Sequence, residues 1–130
     1  MKTILLIVTT IVLLMFDPPV EVPYAKIESA FNSQNASTII SYGKEYVLLN
    51  VLDKEGAYNH AQAEVILQDF FDKNPGGTFS YTFKGKESEE SVFCMGQYAL
   101  KNDKFKVSMQ FEKIKSAYQF RSLTITLEKK

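Results

Sequence analysis

The sequence predicts an α+β domain in which short helices pack on the concave side of a curved antiparallel sheet. Three observations carry this. Helical spacing of apolar residues recurs between the Pro-rich joint Pro18–Pro23 and Asn74, interrupted by one strand, while strand alternation takes over after Gly77. The alternation of the last strand slips by one position near Arg121-Ser122, which calls for a β-bulge and bends the sheet. Finally, the chain of 130 residues, less an apolar leader of about 20, leaves roughly 110, the length of one domain. Phe and Tyr together number 17 and Gly and Pro only 10, so core-forming side chains are plentiful and disorder is excluded as the main state.

Met1-Lys2 and the uncharged run Thr3–Phe16 have the basic start and apolar core of an export signal. The run is shorter than the about 20 residues of a spanning helix, so no stable membrane span is expected after processing. Asp17-Pro18-Pro19 lacks the small residues a signal peptidase reads, and no Cys follows to carry a lipid. Residues 1–19 are therefore expected to be export signal and joint, and 20–130 a single domain in the periplasm or envelope of a Gram-negative bacterium. The competing reading packs residues 4–16 into the core.

Ile27, Ala30 and Phe31 set the apolar stripe of a first helix, broken at Asn32–Asn35. Asn35 caps a second, short helix carrying Ile39 and Ile40, closed by Gly43 as a left-handed terminal residue. Asn35-Ala36-Ser37 also matches a glycosylation sequon, but capping explains it better. Tyr46–Leu52 is β-rich and apolar at both alternating sets of positions, which predicts a strand covered on both faces. Asp53–Gly56 turns the chain. Asn59 lies three residues before Gln62, a capping-box start to a helix whose Ala63, Ile66, Leu67, Phe70 and Phe71 form one face; Asn74–Gly77 stops it.

Phe79, Tyr81 and Phe83 alternate with polar residues along the next strand, and Lys84–Ser91 forms a charged, solvated tip. Val92–Leu100 and Phe105–Phe111 flank a hairpin turn at Asn102-Asp103. That turn pairs Leu100 with Phe105, Tyr98 with Val107, Gly96 with Met109 and Cys94 with Phe111 on the inner face. A turn at Ile114-Lys115 then sets Tyr118 opposite Phe111 and Phe120 opposite Met109, with Leu123 and Ile125 facing Val107 and Phe105 beyond the bulge. The element order is helix, helix, strand, helix, four strands.

This order resembles the cone of the nuclear transport factor 2-like (and cystatin-like) superfamily, a curved antiparallel sheet wrapped over three helices. More narrowly, Lys54-Glu55-Gly56-Ala57-Tyr58, Ala61-Gln62-Ala63-Glu64, Leu67-Gln68-Asp69-Phe70-Phe71 and Lys73-Asn74-Pro75 resemble an exported bacterial family, domain of unknown function 4783. The likeness covers roughly residues 20 to 127, and Phe105-Lys106-Val107 matches a further strand motif. These motifs are turns, caps and helix stops. The resemblance implies a fold, and the superfamily's frequent sheet-to-sheet dimers, but no reaction and no catalytic residues.

The charge inventory narrows the chemistry. Lys and Arg balance Asp and Glu at 15 each, and loss of Met1–Phe16 takes only Lys2, leaving −1. Nothing here grips a phosphate backbone, so no nucleic-acid partner is expected. One Cys and one His can make neither an internal disulfide nor the usual structural zinc site, and no cofactor or metal is expected. His60 falls at the exposed start of a helix, Asp53 at a turn, Asp69 and Asp72 on a solvated helix face, and Cys94 among apolar inner residues as an inert thiol.

Tyr81, Tyr98 and Tyr118 all fall on the inner face by parity and are the candidate ligand-binding residues. Gly96 removes a side chain in mid-strand, making room for a ligand or for a helix. Outside, Phe93 and Met95 form an apolar patch suited to self-association as a homodimer. The reading is an exported, non-enzymatic binding or accessory protein of the envelope, taking a small apolar or peptide ligand. The alternatives are a small-molecule isomerase or lyase using tyrosine hydroxyls, and an interaction module that presents its outer sheet to another protein.

Overall fold

A computed structural model describes residues 20–87 and 89–128, so the expectations for the leader and its cleavage concern residues outside the described ones. Helix α1 (Tyr24–Asn32) starts directly after Pro23, whose fixed φ suits a helix entry, and buries Tyr24, Ile27, Ala30 and Phe31. Gln34, at φ 58°, redirects the chain, and Asn35 accepts the Thr38 N–H at 3.1 Å to cap α2 (Ala36–Ser41). The terminal role expected of Gly43 is not found: α2 ends on Tyr42 in a right-handed conformation, and Gly43 opens strand β1. Its bareness serves packing, since a Cβ there would lie 2.7 Å from Val47 and 2.9 Å from the Phe120 ring.

β1 (Gly43–Val51) is covered on one face only. Val47, Leu49 and Val51 are buried whereas Tyr46 and Leu48 are exposed, correcting the two-sided burial inferred from composition. The chain then reverses through Leu52 (φ 48°) and Asp53 (φ 76°), the paired positive values of a tight two-residue hairpin turn. It returns as a strand that has no signature in the sequence, β2 (Lys54–Asn59), paired antiparallel with β1 from Val51↔Lys54 to Tyr46↔Asn59.

Asn59 then caps α3 (His60–Lys73) by the expected capping box, its side chain accepting the Gln62 N–H at 2.9 Å while Gln62 accepts the Asn59 N–H at 3.3 Å. His60 is half-buried and not a free surface group: its Nε2 donates to the Lys44 carbonyl at 2.8 Å, pinning the start of α3 to β1.

Strands β3 (Thr78–Lys84), β4 (Ser91–Ala99), β5 (Lys104–Ile114) and β6 (Ala117–Leu127) complete a six-stranded sheet in the order β2-β1-β6-β5-β4-β3. All neighbours are antiparallel except β1 and β6, which run parallel. The β4–β5 register differs from expectation by two residues, pairing Tyr98 with Phe105, Gly96 with Val107 and Cys94 with Met109. The cause is the connection: Leu100 N–H bonds to the Asp103 carbonyl across a four-residue loop, where a two-residue turn was inferred.

A shift of two preserves parity, so the inner face is the expected one. β5 and β6 are likewise offset, with Phe111 opposite Phe120, Lys113 opposite Tyr118, and Leu123 and Ile125 opposite Met109 and Val107. The bulge falls where the sequence places it, leaving Arg121 without a counterpart between Phe120 and Ser122.

A second bulge, at Thr82, turns Phe83 outward, where it is 51% exposed, although alternation put it inside. Helices and inner face enclose a core in which, among the described residues, every buried side chain is apolar, cysteine or tyrosine. Phe79 stacks on Phe31 at 4.4 Å, and its ring fills the space above Gly96, where a Cβ would sit 2.5 Å from it. The gap in β4 therefore serves ring packing from the neighbouring strand.

Candidate functional site: a groove floored by tyrosine

Each of the three candidate tyrosines aims its hydroxyl at a backbone carbonyl. Tyr98, completely buried against Phe70, Phe71 and Phe105, donates to the Asn74 carbonyl at 2.8 Å and accepts the Gly77 N–H at 3.2 Å, tying β4 to the end of α3. Tyr118 donates to the Glu89 carbonyl at 2.8 Å, closing the charged loop over the start of β6. Tyr81 donates to the Tyr24 carbonyl at 2.9 Å, joining β3 to α1. The three are not brought together. Tyr98 pairs with the first half of β5 and Tyr118 with its last residues, so they occupy opposite ends of the sheet.

At the Tyr118 end the joint before α1, the end of β3 and the β5–β6 turn enclose an open groove of about 1140 Å³. Tyr24 and Tyr118 lie on its floor, Tyr42 and Val20 on its walls, and four lysines (Lys26, Lys84, Lys113, Lys115) around it. Tyr81 underlies it, meeting the Tyr24 ring edge-on at 5.1 Å. The Lys84 ammonium sits 5.0 Å from the Tyr24 ring centroid and 5.1 Å from that of Tyr81, a double cation–π contact.

Burial pushes the Tyr24 phenol up to about 12, with Cys94, Glu87 and Tyr118 adding to the effect. Burial likewise raises Tyr81, Tyr98 and Tyr118, so all four phenols keep their protons at neutral pH and act as donors. Cys94, beneath them, is pushed up to about 12 by burial against the smaller lowering effect of Lys84, in keeping with an inert thiol.

Tyr24 is the residue that sequence reasoning missed. Its signal was available: it stands three positions before Ile27 and so extends the apolar stripe of α1 by one turn. On the opposite, outer face Phe93 is 44% exposed and Met95 half-buried, and the outward turn of Phe83 brings its ring to 6.4 Å from that of Phe93. The centre of this face is polar, with Ser108, Gln110, Ser122 and Thr124 in adjacent pairs.

A curved, unclosed sheet carrying three helices on one face, with an open groove at one end, defines an α+β domain of the nuclear transport factor 2-like and cystatin-like class. Solved structures agree. A domain of unknown function with a cystatin-like fold from Nostoc punctiforme is 11% identical over 82% of this chain and 74% of its own, at a TM-score of 0.63. An NTF2-like protein of unknown function from Shewanella baltica is 6% identical over 82% and 89%, at the same TM-score of 0.63.

The chain belongs to the family Domain of unknown function (DUF4783), whose model matches residues 24–126. A DUF4783 family protein from Bacteroides uniformis is 25% identical, covers 85% of this chain and 100% of its own, and superposes with a TM-score of 0.73. No curated protein matches the chain.

Proposed function

We propose that the protein is an exported, non-enzymatic binding or accessory protein of the bacterial envelope that takes its ligand in the groove over Tyr24 and Tyr118. One observation carries this reading: the groove is open and about 1140 Å³ in volume, and its floor is made of buried phenols that are raised still further above the ordinary tyrosine value. Such groups donate hydrogen bonds that orient a ligand and do not act as bases near neutral pH. Among the described residues no side-chain carboxylate is hydrogen-bonded to a tyrosine hydroxyl, and His60 is spent on the Lys44 carbonyl. The alternative of isomerase or lyase chemistry by these tyrosine hydroxyls would be favoured by such a pair. The basic, apolar start at Met1–Phe16 and the relative from Bacteroides, a Gram-negative genus, support the envelope address.

Binding is tested by amide chemical-shift mapping of the purified protein with a panel of small amphiphiles. Shifts clustered on Tyr24, Lys113 and Tyr118 without conversion of any compound are expected. Turnover of a panel member that disappears in Glu87→Gln would instead establish the enzyme reading. For the address, cell fractionation should recover the protein outside the cytoplasm, and a cytoplasmic product retaining Met1 would overturn it.

A second reading rests on the exposed Phe83–Phe93 pair: the outer sheet serves self-association. Burying one such ring is worth about 1.5–3 kcal/mol, so a two-fold contact using four rings would be substantial. Light scattering should then find dimers that Phe93→Glu converts to monomers. A monomer for the unmutated protein at high concentration would end this reading.

A further inference from the structure

An edge strand offers a row of unpaired N–H and C=O groups to any other extended chain, and the edges of this sheet are β2 and β3. Their own sequences discourage such pairing to different degrees. β2 carries Lys54, Glu55 and Gly56, two charges and a poor strand former. β3 has no such protection. Thr78-Phe79-Ser80-Tyr81-Thr82-Phe83 is six residues without a charge, a Gly or a Pro, and all but Ser80 are β-branched or aromatic. A window of that composition on a free edge marks a segment that pairs with copies of itself.

The edge of β3 is nevertheless occupied. Phe79 lies opposite Tyr98 of β4 and turns its N–H and C=O to the other side, where both meet one side chain. The N–H donates to Asn32 Oδ1 at 2.7 Å, and Asn32 Nδ2 donates to the Phe79 carbonyl at 3.4 Å. A carboxamide presents an acceptor and a donor as a peptide group does, so Asn32 stands where a residue of a further strand would. Among the described residues no other group is hydrogen-bonded to the free side of β3.

The amide is held there by its neighbours. Phe31, the residue before it, is completely buried and stacks on the Phe79 ring at 4.4 Å. Ser33, the residue after it, closes the end of α1 by bonding both its N–H and its hydroxyl to the Ser29 carbonyl at 3.0 Å. At the start of α1 the Tyr81 hydroxyl donates to the Tyr24 carbonyl at 2.9 Å, so helix and edge strand are fastened at both ends. Past Tyr81 the bulge at Thr82 interrupts the ladder. The straight stretch that another strand could join is Thr78–Tyr81, and Asn32 sits within it.

We propose that the Asn32 amide is an internal stand-in for a neighbouring strand, an autoinhibitory contact that keeps β3 from pairing antiparallel with β3 of a second copy. In that pairing, centred on Ser80, Phe79 of each copy lies opposite Tyr81 of the other, and both residues direct their N–H and C=O at the partner. The pairing extends the sheet sideways and uses neither the groove nor Phe93, so it is independent of both readings above.

The test compares Asn32→Ala with Asn35→Ala, which also removes a side-chain acceptor from a backbone N–H but at the start of α2. Both are made in a Phe93→Glu background, so that outer-face association does not enter. Sedimentation velocity over a concentration series gives the size, and amide hydrogen exchange reports on Phe79. Asn32→Ala should form dimers or larger species as concentration rises, while Asn35→Ala keeps the size of the parent. In dilute Asn32→Ala the Phe79 amide should exchange several-fold faster than in the parent and regain protection in the associated species. Asn32→Asp, which keeps the acceptor for the Phe79 N–H, should retain the parent's size and the slow exchange. The inference fails if Asn32→Ala keeps the parent's size at the highest concentration, if Asn35→Ala associates to the same extent, or if association leaves the Phe79 amide in fast exchange.

Discussion

Two tyrosines of similar burial carry opposite commitments, and substitution separates them. Tyr98→Phe leaves the Asn74 carbonyl and the Gly77 N–H without their shared partner and should cost about 1 kcal/mol in urea denaturation. Tyr24→Phe removes a hydroxyl that bonds to nothing within the described protein, so stability should be unchanged or rise by up to about 1 kcal/mol. A loss for Tyr24→Phe as large as for Tyr98→Phe would mean that its hydroxyl is bonded after all. Gly96 is equally specific, because the Phe79 ring occupies the volume of any side chain there; Gly96→Val should cost at least about 1–3 kcal/mol, the usual range for overpacking. Sequence reading found Gly96 but not its occupant, since the ring that fills the space arrives from a different strand.

Among the elements, α3 is the most self-specified, and Asn59→Ala should cost about 1 kcal/mol by removing the side-chain arm of its capping box, the acceptor of the Gln62 N–H. Thermal denaturation of that variant with unchanged Tm would show that packing alone holds the helix end. The cap, the stripe Ala63–Phe71 and the bulge at Arg121 were legible because each is a local pattern. β2 was not: Lys54–Asn59 is an edge strand with a Gly and two charges, showing no alternation to read, and only its pairing with β1 makes it a strand. β1 misled in the other direction, because the apolar Tyr46 and Leu48 lie on the outer face. Phe83 was misplaced for want of any sequence mark at the Thr82 bulge. The groove itself had almost no local signature, since its parts come from residues 20–28, Tyr42, residues 84–87 and 113–118, and only Tyr118 could be placed on the correct face by parity.

For the molecule as a whole, burial of one thiol and several phenols sets a limit on alkaline stability. Folding raises Cys94 from 9.0 to about 12 and Tyr24 from 10.0 to about 12, and the remaining inner tyrosines move the same way. The folded protein then holds more protons than the unfolded chain only above about pH 9, so stability is fully present below that value and is lost as pH rises toward 12. Tm should be level up to about pH 8.5 and fall beyond, with a shallower fall in Cys94→Ala; an unchanged Tm at about pH 10.5 would refute the burial account. The parallel pairing of β1 with β6 sets a different limit, one of timing. Gly43 meets Phe120 and Val51 meets Ile125, so the β1–β2 hairpin has no place in the sheet until the last strand of the chain has been made. A nascent chain ending before Ala117 therefore holds its first hairpin without a neighbour. Until β6 is made the sheet exists as two separate parts, β2-β1 and β5-β4-β3, and the last strand to leave the ribosome is the one that joins them.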